Sequence, residues 1–107
     1  MIVRVAADGT VALVDGHPGA RPAAPGEVRI DLRAVGGGTT LVVSNASPRF
    51  LLYRAAIAQT GAERPQATSI CPVLPDGKFG IENWPYPIAR AILYGFRYDE
   101  HPPMSCR

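Results

Sequence analysis

Cys71 and Cys106 are the two cysteines of the chain, and a disulfide is the first chemistry open to them. A bridge would close the loop 71–106 and add roughly 3–4 kcal/mol in the chain-entropy description. An even count with one cysteine near the terminus fits a staple that holds a proline-rich tail. The rival is a buried thiol at Cys71 and an exposed one at Cys106. A bridge implies an oxidising compartment. His17 and His101 are the two histidines. Asp99, His101, Cys71 and Cys106 have the right types for zinc but not the close spacing of a structural zinc site, so the histidines read as exposed loop residues. Asp99-Glu100-His101 collects acid–base groups, yet neighbours on a strand point to opposite faces.

Other chemistry is weaker. Ser44, Ser47, Ser69 and Ser105 lie in no Gly-x-Ser-x-Gly elbow. Gly36-Gly37-Gly38-Thr39-Thr40 has the glycines of a phosphate loop without its lysine or following helix, and reads as a turn. Asn45-Ala46-Ser47 matches the glycosylation triplet, a short pattern that chance often produces. No catalytic residue, metal or cofactor is expected. Trp84-Pro85-Tyr86-Pro87 is the candidate binding segment, because aromatic area on a stiff proline backbone loses little entropy on contact. Against that stands burial of Trp84, the only tryptophan, in the core.

The elements that would position these residues follow from bulk numbers and patterning. At 107 residues the chain has room for one domain, 1–107. An apolar fraction of 47% with 19% charged residues is that of a folded protein, which excludes a disordered chain. With 11 glycines and 11 prolines spread through it, the chain reads as many short elements joined by turns. The net charge of +2 comes from scattered arginines with no two adjacent, so no nucleic-acid partner is expected. No stretch approaches the ~20 apolar residues of a membrane span. The first residues lack the basic and apolar regions of a signal peptide, which fits a cytoplasmic protein or one whose leader has been removed.

Ile2–Ala6 and Val11–Val14 form a predicted hairpin around Asp8-Gly9, and residues 16–26 form a Pro/Gly loop. Along Glu27–Arg33, Val28, Ile30 and Leu32 point one way and Glu27, Arg29, Asp31 and Arg33 the other, which predicts a half-buried strand. Thr39–Asn45 is apolar on both faces and reads as central. Ser47–Gly61 fits two patterns. As a helix it has Ser47 at the N-cap, Pro48 at the first position and Gly61 as a stop. As a strand, Leu51, Tyr53, Ala55 and Ile57 share a face. Residues 67–74 read as a strand that Pro72 confines to an edge, with 79–83 returning as the second arm of a hairpin across Pro75-Asp76-Gly77-Lys78. In 88–98, Ile88, Ile92, Tyr94, Phe96 and Tyr98 share a face in the strand reading, with a helix from Pro87 to Gly95 as the rival.

Leu41-Val42-Val43-Ser44-Asn45-Ala46-Ser47 followed by Leu51-Leu52-Tyr53-Arg54-Ala55 resembles the paired strands of immunoglobulin-like domains in bacterial periplasmic proteins, such as the N-terminal domain of pilus chaperones. There a polar Asn-x-Ser corner links two core strands. The basic residues with which those chaperones hold a subunit's C-terminus have no counterpart here. The resemblance implies the sandwich architecture and the compartment. The expectation is an all-β, immunoglobulin-like antiparallel sandwich of about seven or eight strands. The alternative is an α+β chain with helices at 47–60 and 87–95. The expected role is a non-catalytic periplasmic or secreted module with a protein partner, its contact surface at Trp84–Pro87 or at an open edge such as the strand Pro72 interrupts. The alternatives are a small metal-dependent enzyme built on Asp99, His101 and the cysteines, or a cytoplasmic α+β protein.

Overall fold

The computed structural model describes residues 1–107 and contains eight strands and no helix. They are β1 (Ile2–Val5), β2 (Val11–Asp15), β3 (Glu27–Val35), β4 (Gly38–Asn45), β5 (Phe50–Gln59), β6 (Gln66–Thr68), β7 (Lys78–Trp84) and β8 (Ile88–Asp99). Two antiparallel sheets result, a larger one in the order β2-β1-β3-β4-β7 and a smaller one in the order β6-β5-β8. Val3, Val28, Leu41, Val43 and Trp84 from the larger sheet meet Leu51, Tyr53, Ala55, Ile57 and Phe96 from the smaller in one core. The Tyr53 and Phe96 rings stack within it at 5.5 Å.

The local reasons are legible. Gly36 and Gly37 have φ of 54° and 84°, the left-handed pair that a tight hairpin between β3 and β4 requires. β4 lies between β3 and β7 and buries Thr39, Leu41, Val43 and Asn45 in strict alternation. β5 buries Leu51, Tyr53, Ala55 and Ile57, so residues 47–60 are strand and corner, not helix. Hydrogen bonding to β6 and β8 on either side overrides the local helical preference. Ser47, the expected N-cap, instead takes the Arg49 amide on its Oγ at 3.1 Å in a corner between the sheets.

Residues 87–95 are likewise not helical, but their expected face is divided. The register of β8 on β5 shifts between Leu52 and Arg54, so that Tyr53 alone faces the stretch between Tyr94 and Arg97. Gly95, at φ 66°, takes the bulge. Phe96 is buried and Tyr98 packs against the core, while Ile92 and Tyr94, one residue out of phase, point outward and are exposed. Two further expectations are corrected. Turn 75–78 does not close a hairpin: it carries the chain from the smaller sheet to the larger, where β7 pairs with β4. The amides of Asp76 and Gly77 bond the carbonyls of Ser47 and Asn45, which holds the turn to the corner. Leu32, expected on the buried face of β3, is 44% exposed, although Leu41 opposite it on β4 is buried.

The Pro/Gly loop is fixed over the outer face of β1 and β3. Arg29 donates to the carbonyls of Gly19 and Arg21, and Glu27 accepts from the Ala24 amide at 2.9 Å and pairs with Arg21 at 3.0 Å. Ile2, opposite Arg29, is consequently buried although it lies outside the core cluster. The Arg21 hydrogen bond, with the Ala24 amide, holds the Glu27 carboxyl below the usual carboxylate range. A lowered folded value means stability that is present above the unfolded value and lost as pH falls through the folded one. Glu27→Gln is therefore expected to flatten the acid limb of the urea midpoint plotted against pH, and an unchanged limb would refute the loop's electrostatic anchorage.

Asn45 is fully buried, and its amide nitrogen donates to the carbonyl of Arg49 at 2.8 Å and to those of Val73 and Leu74 at 3.4 and 3.2 Å. Its Oδ1 accepts the Ser47 amide at 3.0 Å. Asn45→Ala removes the partner of the buried Ser47 amide and the side-chain donor to the Arg49 and Leu74 carbonyls, and is expected to cost about 2–4 kcal/mol in urea unfolding. Arg33→Ala, on the exposed part of β3, should stay within about 0.5 kcal/mol.

Candidate functional site

Cys71 and Cys106 are joined, with Cα atoms 4.0 Å apart across a separation of 35 residues. Arg107 and Ile70 exchange both backbone hydrogen bonds beside the bridge, at 2.6 and 2.8 Å. The tail is thereby strapped to the segment that follows β6. Between the tail and the outer face of the smaller sheet lies a shallow hollow lined by Leu52, Arg54, Arg97, Pro103, Ser105 and Arg107 among others. Arg97 has Asp99 at 3.4 Å, whereas Arg54 and Arg107 have no acidic partner within the chain. Guanidinium groups so placed suit a carboxylate or phosphate oxygen.

The metal-dependent alternative loses its ligands to other bonds. Both cysteines are spent on each other, and Asp99 turns onto Arg97 and the His101 amide. No three His, Cys, Asp or Glu side chains gather into a ligand set. Asn45 of the glycosylation triplet is buried with its amide engaged. Burial pushes the Tyr53 hydroxyl far above the usual phenol range, which keeps it neutral.

Trp84-Pro85-Tyr86-Pro87 is the crossing from β7 to β8. Trp84 is 8% exposed, and its Nε1 donates to the Thr68 hydroxyl on β6 at 3.2 Å, across the two sheets. Tyr86 packs partly against the core, and its carbonyl accepts the Thr39 hydroxyl at 3.1 Å. The aromatic area expected at the surface is thus largely committed to the interior. Pro85 and Pro87 are what the segment shows to solvent.

Exposed apolar area stands at both edges of the larger sheet, in Val11, Leu13 and Val14 on β2 and in Phe79 and Ile81 on β7. Pairing with β4 sets Ile81 opposite Val42 and Phe79 opposite Ser44 on the outer face, and Gly80 opposite Val43 and Glu82 opposite Leu41 on the inner. Phe79 and Ile81 are 59% and 50% exposed, whereas the inner positions hold Lys78, Gly80 and Glu82. The strand is inverted relative to the hydrophobic pattern that normally sets register. Trp84 holds it in phase by entering the core, and Val73 packs on Gly80, where an added Cβ would stand 3.2 Å from a Val73 methyl. β7 is also an edge, bonded only to β4, and no other backbone hydrogen bond reaches it.

The other long edge, β8, is partly guarded. It carries the Gly95 bulge, and the β1–β2 turn lies so close that a Cβ at Gly9 would stand 2.8 Å from the Phe96 carbonyl. The sequence signal for the β7 surface was the run Lys78-Phe79-Gly80-Ile81-Glu82, whose alternation is clear but whose inward side could be assigned only after Trp84 was placed.

Reducing the disulfide, or replacing both cysteines by serine, is expected to lower stability by about 3–4 kcal/mol and to release hydrogen-exchange protection of the Arg107 and Ile70 amides. Unchanged protection of both would show that the strap does not depend on the bridge. Compared with family models, curated proteins and solved structures, the chain matches none.

Proposed function

We propose that this chain is a non-catalytic, periplasmic or secreted module of immunoglobulin-like layout that assembles with protein through the open edge at β7. The observation that carries the reading is the inversion of that strand. An unpaired edge that turns two large apolar residues to solvent is costly for a solitary protein, because it offers both backbone groups and apolar area to any passing chain. Lys78 and Glu82 on its other face discourage an indiscriminate strand and favour one with complementary charges.

The layout adds support. Pairing of β4 with β7 in one sheet and β5 with β8 in the other, with crossings at β4–β5 and β7–β8, follows the B–E and C–F pairings of immunoglobulin domains. The Asn45–Ser47 corner lies at the first of these crossings, where the resemblance puts it. The disulfide is compatible with an oxidising compartment. No helix is long and apolar enough to cross a membrane.

Site-specific photo-crosslinking in the natural source tests the reading. A probe at Asn83, exposed on β7, is expected to yield a discrete protein adduct, and one at His17, exposed in the Pro/Gly loop, to yield none. Absence of any protein adduct from Asn83, the second copy of the chain included, would overturn it.

A further inference from the structure

We infer that the partner of β7 is a second copy of the same chain, paired antiparallel about a two-fold axis through Gly80. The inference rests on the reading of β7 as a contact edge and goes further by naming the occupant and the register.

The residues of β7 are complementary to themselves when reversed. An antiparallel pair centred on Gly80 sets Lys78 of one copy opposite Glu82 of the other, and does so twice by symmetry. It sets Phe79 opposite Ile81 of the second copy, also twice, and glycine opposite glycine at the centre. Residues directly opposite on antiparallel strands have Cβ atoms about 4.5–5.5 Å apart, where opposite charges attract and apolar groups cover each other. The faces agree as well. Lys78 and Glu82 both lie on the inner side of β7, and Phe79 and Ile81 both lie on the outer side, as the pairing with β4 shows. A shift of the centre to Ile81 breaks the match, for Lys78 then faces Trp84 and Glu82 faces Gly80.

The groups needed are free within one chain. Lys78 has no acidic partner. Glu82 accepts the Cys71 amide on Oε1 at 3.2 Å, and Oε2 has no partner. Gly80 leaves the inner face at the centre of the seam without a side chain, and Val73 of the same copy packs there. The product is one continuous sheet across two chains. In it β7 becomes internal and the contact closes, since a two-fold pairing uses the same edge on both copies.

Sedimentation equilibrium on the full chain tests this. The wild type is expected at twice the 11.4 kDa chain mass. Lys78→Glu places like charges opposite each other at both ends of the seam and should weaken the dimer by about tenfold or more. The exchanged pair, Lys78→Glu with Glu82→Lys, restores both contacts and should return the constant to within about threefold of wild type. Phe79→Ser, at an exposed position that costs the monomer little, should loosen the dimer and leave unchanged the urea midpoint measured at concentrations low enough for both proteins to be monomeric. A wild type that stays monomeric at high concentration overturns the inference. So does a dimer that Lys78→Glu and Phe79→Ser both leave intact. If the wild type is monomeric while Asn83 crosslinks to a different protein, self-pairing fails and the contact edge stands.

Discussion

The buried side-chain amide of Asn45 is the constraint on which the sandwich depends. β4 ends in the larger sheet at this residue, and β5 begins in the smaller sheet five residues later, at Phe50. Between them the backbone leaves one ladder before joining the other, and its polar groups need partners away from water. Asn45 supplies them, reaching the start of β5 through Arg49, the segment before β7 through Val73 and Leu74, and the corner itself through the Ser47 amide. Its own carbonyl accepts the Gly77 amide, so the second passage between the sheets is tied to the first. An apolar residue of the same size could fill the space but would take the side-chain partner from the Ser47 amide and from the Arg49 and Leu74 carbonyls, leaving Val73 its bond from the Leu51 amide.

The rest of the molecule accommodates unequal sheets. A five-stranded sheet over a three-stranded one leaves apolar residues at the margins, and the chain covers only some of them. The Pro/Gly loop covers Ile2, anchored by Arg21, Glu27 and Arg29. The disulfide and the Arg107–Ile70 pair hold the tail against the smaller sheet. On β7 no such cover exists, although the same Trp84 that closes the core forces Phe79 and Ile81 outward. The exposed edge is thus a direct consequence of core packing, and a contact that buries it recovers what the monomer leaves in water.

Charge placement follows the same division. Where the chain covers itself, acidic and basic groups find each other internally, as Glu27 does with Arg21 and Arg4. Where it does not, they remain single, as with Lys78 on the edge and Arg54 and Arg107 at the hollow by the disulfide. At β7 an unmatched charge, Lys78, stands beside unmatched apolar area, Phe79 and Ile81.

Period-two alternation in Glu27–Arg33 and Thr39–Asn45, and the glycine-bearing turns at Asp8-Gly9 and Gly36-Gly37, determined by themselves that the first half of the chain is β but left strand and helix both open at 47–60 and 87–95, and two cysteines with one near the terminus pointed to the bridge. These features are local, or nearly so, and a strand's pattern survives without its neighbours. Only the tertiary structure decided which strands pair and which way each one faces. The turn at 75–78 is a strong turn in either role, and it leads across to the other sheet because Asn45 and Ser47 bind it there. Gly95 flips Ile92 and Tyr94 outward through one extra residue opposite Tyr53, and Trp84 turns the face of β7 that carries Phe79 and Ile81 to solvent. A strand's alternation is the same read from either side, so which side is buried is set by whatever large residue the core has room to take.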